Sequence, residues 1–184
     1  MVLIGRKKMN INLDTYVISD THFGHDNIIK YCNRPEDHDF LMHLYWTSIV
    51  QENDDILHLG DVMWYKHDTP WDESRTLVDV VKSLPGNKFL VKGNHDNKSN
   101  DWWGEIGFTV LPKRVFYNYE GKRILFTHYP ENNFIMHWDI NIHGHIHNHG
   151  YEVKEENGRQ FINVSVEVMD YAPVKLGDIL REEV

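Results

Sequence analysis

Five short polar clusters in the chain contain the residue types that bind divalent cations. They are Asp20-Thr21-His22, Gly60-Asp61, Gly93-Asn94-His95-Asp96, Thr127-His128 and Gly144-His145-Ile146-His147. Metals that catalyse hydrolysis bind oxygen and imidazole nitrogen ligands and keep one position open for water. In an extended chain, residues two apart lie on the same side, so Asp20 with His22 and His145 with His147 could bind one ion or two adjacent ions.

The charge of such a site would differ from the charge of the whole chain. Asp61 can bridge two ions because its carboxylate has two oxygens, whereas Asn94 offers a neutral oxygen. Two divalent ions bring four positive charges against two negative charges from Asp20 and Asp61, so roughly two positive charges remain. The site could therefore attract a phosphate although the chain has 28 acidic and 19 basic residues, a net charge of −9.

Each polar cluster follows an apolar stretch that favours a β-strand. The five strands predicted on this basis cover residues 14–19, 55–59, 88–92, 123–127 and 139–142. Ligands of open α/β sheets gather at the carboxyl ends of the strands. We therefore expect the five clusters to converge on one site.

The remaining pattern predicts helices and hairpins between these strands. Apolar residues at helical spacing predict a helix over residues 39–51. Thr69 can cap a second helix with Pro70 in its first position, and Pro85-Gly86 would end it. Two hairpins are predicted over residues 115–127 and 151–166, the second around the turn Asn157-Gly158, and residues 97–112 are expected to form a loop or short helix.

In this order, the five clusters resemble the motifs of calcineurin-like metallophosphoesterases: D-x-H, G-D, G-N-H-[DE], a lone H and G-H-x-H. The match covers residues 20–147. The resemblance implies an α/β fold in which a two-sheet β-sandwich is flanked by helices, in four layers ordered αββα, with metals at the strand ends. It also implies hydrolysis of a phosphomonoester or phosphodiester by a metal-bridging hydroxide.

The resemblance also implies a role for individual residues. It assigns the first ion to Asp20, His22 and His147, the second to Asn94, His128 and His145, and the bridging position to Asp61. His95 would stabilise developing charge or protonate the leaving oxygen, and Asp96 would orient His95.

The cofactors and the substrate are predicted as classes. Oxygen and nitrogen ligands without cysteine suit two ions of Mn²⁺, Fe, Zn²⁺, Ni²⁺ or Co²⁺, and Mn²⁺ is favoured for activity in vitro. The expected substrate is a small phosphorylated molecule, with nucleotides among the candidates. Arg34 could bind a phosphate oxygen bidentately, or it could be a turn residue in a surface ion pair.

The remaining histidines and the aromatic residues have alternative interpretations. Alternating histidines over residues 143–149 could instead form an adventitious metal tract, as in a metal-storage protein. We expect His143 beside the ligands, His149 in solvent, His58 in the core, and His38, His43, His67 and His137 at the surface. Loop aromatics could stack on a nucleobase, but packing against the domain is favoured for Trp64, Tyr65, Trp71, Trp102 and Trp103.

Composition excludes several other classes of protein. The 184 residues suit one domain spanning 1–184, and no stretch reaches the ~18 apolar residues of a membrane helix. In residues 1–8 the apolar run precedes the basic residues, the wrong order for a signal peptide. Cys32 is the only cysteine, which favours a cytoplasmic protein without an intrachain disulfide.

Three other functions are compatible with a domain of this size but are disfavoured by the sequence. The acidic balance disfavours extended nucleic-acid binding. The H-x-H-x-D-H signature of β-lactamase-like hydrolases is absent, because His147 is followed by Asn148 and His149. The alternative function is a non-catalytic protein-binding scaffold that keeps the fold. It is disfavoured because all seven ligand positions are filled.

Overall fold

A computed structural model describes residues 9–65, 69–132 and 135–183 of the chain. The N-terminal residues 1–8, on which the signal-peptide argument depends, and His67 lie outside the described residues. None of the helices in the described ranges has the length and apolar character needed to cross a bilayer.

The first sheet contains the strands that lead into the first three polar clusters. Its order is β10 (Val174–Lys175), β1 (Tyr16–Ile18), β2 (Asp55–His58), β3 (Asn87–Leu90) and β4 (Phe108–Val110). Strands β1 to β4 are parallel neighbours, and β10 pairs antiparallel with β1. The carboxyl ends of β1, β2 and β3 therefore lie at one edge.

The second sheet has parallel strands at its centre and a hairpin at each edge. Its order is β5 (Val115–Tyr119), β6 (Lys122–Phe126), β7 (Ile140–His143), β9 (Arg159–Asn163) and β8 (Val153–Glu156). Both hairpin turns have positive φ at their two central residues, at Glu120 and Gly121 and at Asn157 and Gly158. This backbone matches the twist of paired strands and confirms the predicted Asn157-Gly158 turn.

Side chains alternate along each strand, so the two faces of the first sheet belong to two different buried apolar clusters. Val17, Leu57 and Phe89 are in register across three strands and pack against Phe126 and Ile142 of the second sheet. The next residue along each strand faces the other way, against the helices. The predicted class, two sheets flanked by helices, is confirmed.

The helices lie at α1 (Asp26–Cys32), α2 (His38–Ile49), α3 (Leu77–Ser83), α4 (Asn100–Glu105) and α5 (Leu176–Glu183). The helix over residues 39–51 is confirmed as α2. Neither α1 nor α5 was predicted. The segment 97–112 contains α4, as allowed, and also strand β4, which was missed.

The predicted start of the helix at Thr69 is wrong. The Asp72 carboxylate accepts the N–H groups of Ser74 and Arg75 in a local turn. The helix begins at Leu77 because Thr76 forms a capping box with Asp79, in which each side chain accepts the other residue's backbone N–H.

The capping box gives a stability prediction. Replacing Thr76 with alanine removes a cap, so we expect the free energy of unfolding to fall by about 1 kcal/mol in chemical denaturation. Thr47→Ala is the control, because Thr47 is exposed within α2 and its hydroxyl donates to carbonyls of the preceding turn. An equal loss of unfolding free energy in both variants would contradict the assignment of Thr76 as the helix cap.

Candidate metal centre

The strand ends of both sheets bring the predicted ligands into one place. Ligand atoms of Asp20, His22 and His147 lie within 4.8 Å of one another. A second group with the same spacing contains Asp61, His128 and His145. Residues up to 127 positions apart in sequence therefore meet at the edge where β1, β2, β6 and β7 end.

Asp61 lies between the two groups of ligands. Its Oδ2 is 3.4 Å from Nε2 of His22 and 3.5 Å from Nε2 of His128. The Oδ1 atom of Asn94 is 3.0 Å from the same His128 nitrogen. One carboxylate thus faces both groups, and the amide oxygen faces the second group only.

Hydrogen bonds outside the centre fix the orientation of two imidazoles. Nδ1 of His128 donates to the carbonyl of Leu59 at 2.8 Å, which leaves Nε2 to face Asp61. Nδ1 of His147 bonds Glu167 at 2.8 Å, and its Nε2 is 3.8 Å from Oδ1 of Asp20. Such outer contacts are typical of histidines that bind metals.

Several buried polar atoms in the centre have no hydrogen-bond partner among the described residues. They include Oδ1 of Asp20 and both ring nitrogens of His22, and Asp20 is fully buried. A buried carboxylate oxygen without a partner is destabilising unless a cation or donor faces it. The donor set and its unpaired atoms therefore fit divalent ions.

The backbone at the centre adopts a conformation that side chains disfavour. Five of the predicted ligands have φ between 48° and 72°, namely Asp20, His22, Asp61, His145 and His147. The left-handed region costs roughly 1–2 kcal/mol per residue outside glycine. Such strain concentrates at functional sites, where the surrounding structure over-determines the backbone.

Two glycines allow the two sheets to approach at the centre. A Cβ atom on Gly144 would lie 2.0 Å from Oγ of Ser19 and 2.1 Å from Oδ2 of Asp20. A Cβ atom on Gly93 would lie 2.2 Å from Oδ1 of Asp61. Larger residues at these positions would displace the carboxylates.

Burial and neighbouring charges shift the titration of the ligands. Burial raises the pKa of Asp61 to about 6, against the lowering effect of His128. Burial, with His147 next to it, lowers the pKa of His22 well below its usual range. Burial also lowers the pKa of His147, but hydrogen bonds with Cys32 and Glu167 outweigh it and raise that pKa to about 10. Burial thus favours the neutral forms of Asp61 and His22, whereas the hydrogen bonds of His147 favour its protonated form.

His95 stands beside the centre without belonging to either ligand group. Its ring centroid is 5.2 Å from that of His22, and its backbone N–H donates to Oδ1 of Asp61 at 2.8 Å. The Trp64 ring stacks on His25, with ring centroids 4.3 Å apart, and its centroid is 5.3 Å from that of His95. The imidazole is thus held next to the ligands, as a residue that acts on a bound substrate must be.

Asp96 has a role different from the predicted one of orienting His95. Its Oδ2 accepts the N–H groups of Asp61 at 2.7 Å and Gly93 at 2.8 Å, and its Oδ1 accepts that of Val62 at 3.1 Å. The described hydrogen bonds of this carboxylate therefore all go to backbone. Asp96 joins the loops that follow β2 and β3.

Arg34 is buried against protein acceptors, which contradicts its interpretation as a phosphate ligand, whereas the interpretation as an ion-pair residue is correct except that the pair is buried. Arg34 is only 3% exposed. Its guanidinium donates to the carbonyls of Thr21 at 2.7 Å and Asp20 at 2.6 Å, and it pairs with Glu167. The buried arginine holds the loop that carries two of the predicted ligands.

Glu167 is a residue that the sequence analysis missed. It lies in a short 3₁₀ helix at Val166–Val168, and its Oε1 bonds both His147 and Arg34. No local motif marks it, because its partners lie 20 and 133 residues away. An acidic residue between Val166 and Val168 was the only signal in the sequence.

The other histidines divide between core and surface. His58 is buried as predicted, and His143 is buried beside the ligands. His38 was expected at the surface but is buried, with Nδ1 3.2 Å from the Pro35 carbonyl. Exposed positions are confirmed for His137 and His149, whereas His43 is half-buried.

Most loop aromatics pack against the first sheet. Trp103 is buried in that core, and the half-buried Tyr65, Trp71 and Trp102 pack against it, which confirms the favoured interpretation. Trp64 is the exception, since it contacts His25 and His95.

A cleft of about 650 Å³ opens beside the second group of ligands. Its lining includes Asn94 and His128 together with the basic Lys92, Lys113 and Arg114 and the acidic Glu131, which pairs with Arg114. The cleft therefore gives a molecule from solvent a path to Asn94 and His128.

The contact at Gly93 gives a second stability prediction. Gly93→Ala should lower the free energy of unfolding by about 1–3 kcal/mol, because the new methyl group overlaps Asp61. Gly104→Ala is the control: this helical glycine has no neighbour within 4 Å of the added atom, so alanine should be neutral or stabilising by up to about 1 kcal/mol. Denaturation with a chelator present measures both, and unchanged stability of Gly93→Ala would contradict the close approach.

Comparisons with known proteins agree with this arrangement. The family model of calcineurin-like phosphoesterases matches residues 13–177. The uncharacterized protein MJ1445 of Methanocaldococcus jannaschii is 36% identical over 173 residues, which cover 90% of this chain and 89% of that protein. The solved structure of AQ665, a protein of unknown function from Aquifex aeolicus, is similar with a TM-score of 0.69 and 28% identity, covering 91% of this chain and 98% of that one. The chain belongs to the calcineurin-like phosphoesterase family.

Proposed function

We propose that this protein is a phosphoesterase that uses two adjacent divalent ions. The observation that carries the proposal is the position of Asp61, whose carboxylate faces His22 of one ligand group and His128 of the other. Asp20, His22 and His147 would hold the first ion, and Asn94, His128 and His145 the second. Bound divalent ions supply an activated water nucleophile and positive charge that stabilises the transferred phosphoryl group.

The protein's own residues bind and orient the substrate. The cleft beside Asn94 and His128 leaves room for a substrate, and Lys92 and Lys113 line it together with an Arg114–Glu131 ion pair. We place a phosphomonoester or phosphodiester of a small molecule there, with nucleotides among the candidates. The ester oxygen that leaves would face His95.

His95 is proposed to donate a proton to the leaving oxygen. Its ring lies against His22, and its backbone is tied to Asp61, so it is positioned relative to both ligand groups. A general acid of this kind contributes typically about 10²–10⁴-fold to the rate.

Mn²⁺ is the proposed ion for activity. The seven ligands offer oxygen and imidazole nitrogen only, which suits Mn²⁺ and also Fe, Zn²⁺, Ni²⁺ or Co²⁺. The alternative of a non-catalytic scaffold is disfavoured because every ligand position is filled and the side chains converge. A protein that binds two ions and hydrolyses no ester would support the scaffold.

The bridging role of Asp61 can be tested by hydrolysis of p-nitrophenyl phosphate and bis-p-nitrophenyl phosphate with each metal added. Mutating a residue that only contacts a metal ligand typically lowers metal affinity or activity by up to about 100-fold. Asp61 is a proposed ligand itself, so Asp61→Asn should lower kcat/KM by at least that factor. Asp178→Asn, an exposed carboxylate on α5, is the control and should keep full activity. If the wild type and Asp61→Asn are equally inactive with every metal, the proposed phosphoesterase activity is refuted.

A substitution at His95 can distinguish proton donation from metal binding. His95→Asn should lower kcat by about 10²–10⁴-fold while the bound metal, measured by elemental analysis, stays the same. His137→Asn provides a matched control because His137 is exposed and its ion-pair partner, Asp139, is not one of the proposed ligands. Loss of metal in His95→Asn would show that this residue is a ligand or a structural support.

A further inference from the structure

A tyrosine that is not one of the proposed ligands lies against the second group of ligands. The ring centroid of Tyr129 is 4.1 Å from that of His145 and 4.9 Å from that of His128. Its hydroxyl donates to Oδ1 of Asn94 at 3.1 Å. The phenol therefore contacts all three residues that are proposed to hold the second ion.

A buried network fixes the backbone from which this side chain projects. Oγ1 of Thr127 donates to the carbonyl of Tyr129 at 2.6 Å, and the side-chain amide of Asn141 donates to the same threonine oxygen at 2.9 Å. Thr127 and Asn141 are both buried. Pro130 follows directly, and a proline restricts the backbone of the residue before it. The loop after β6 thus holds the phenol in place.

The contribution of Tyr129 to the core does not explain its position. Tyr129 is 49% exposed, so much of the ring surface remains in contact with solvent. The residue also lines the cleft that opens beside Asn94 and His128. A molecule that reaches these ligands through the cleft therefore meets the phenol hydroxyl on its way.

The hydroxyl has the chemistry to bind an anion at this place. A hydrogen bond to an ionised oxygen is roughly twice as strong as one to a neutral oxygen such as that of the Asn94 amide. The hydroxyl hydrogen can rotate about the bond between the ring and the oxygen. Tyr129 can therefore exchange the amide for a charged oxygen beside it while the ring stays against His145.

We propose that Tyr129 binds the phosphoryl group of the substrate: its hydroxyl donates a hydrogen bond to a phosphoryl oxygen outside the ester bond that breaks. This inference rests on the proposed function. The phenol keeps its proton throughout, and its contribution is to stabilise negative charge on that oxygen in the transition state. This role is distinct from that of His95, which is proposed to protonate the leaving oxygen.

The variant Tyr129→Phe removes the hydroxyl and keeps the ring. A hydrogen bond to a charged acceptor typically contributes about 10–100-fold to affinity, so calorimetric titration of the protein loaded with Mn²⁺ should show at least tenfold weaker binding of inorganic phosphate. The kcat for p-nitrophenyl phosphate should fall by about 10²-fold, as is usual when one donor to an oxyanion is removed. Tyr45→Phe is the matched control, because Tyr45 is exposed on α2, and it should equal the wild type in both measurements.

Metal content distinguishes phosphate binding from support of Asn94. Elemental analysis should find the same bound Mn²⁺ in Tyr129→Phe and in the wild type. Loss of metal in the variant would overturn the proposal and make Tyr129 a residue that positions Asn94. Unchanged phosphate affinity in Tyr129→Phe, or a wild type loaded with metal that binds no phosphate, would overturn it as well. Weaker phosphate binding in the variant, together with a wild type that hydrolyses no ester, would support the role of Tyr129 and refute only the proposed function.

Discussion

Buried charge at the strand ends is the constraint on which the rest of this structure depends. Asp20 is fully buried, yet one of its oxygens has no hydrogen-bond partner in the described part of the chain, and the adjacent His22 is similarly unsatisfied. A fold tolerates such groups only when something rigid holds them and a cation can face them. Both conditions are met by the loops that follow the parallel strands.

The rigid support comes from contacts that cross between elements. Asp96 joins the loops after β2 and β3, and Arg34 holds the carbonyls of the loop after β1. Oδ2 of Asp20 accepts the N–H of His145 and the hydroxyl of Ser165, which links the two sheets directly. These contacts stabilise a left-handed backbone that the ligand residues would not adopt alone.

The surroundings of His147 show how one residue can serve two regions. Its Nε2 faces Asp20 among the proposed ligands, and its Nδ1 bonds Glu167 outside them. The buried ion pair of Glu167 with Arg34 therefore supports the ligands twice, through His147 and through the Asp20 carbonyl.

The sequence by itself determined the five strands, the order of the polar clusters that follow them, and the family. These features are readable because strand periodicity and short motifs are local. The convergence of Asp61 with His22 followed from the rule that parallel strands present their carboxyl ends together, whereas His128 reaches them from the second sheet. Only the tertiary structure decided that Arg34 is buried, that Asp96 binds backbone and that Glu167 supports His147. Their partners lie at distant positions in the chain, and the preference of a charged side chain for solvent or for a buried partner depends on packing that no local pattern encodes.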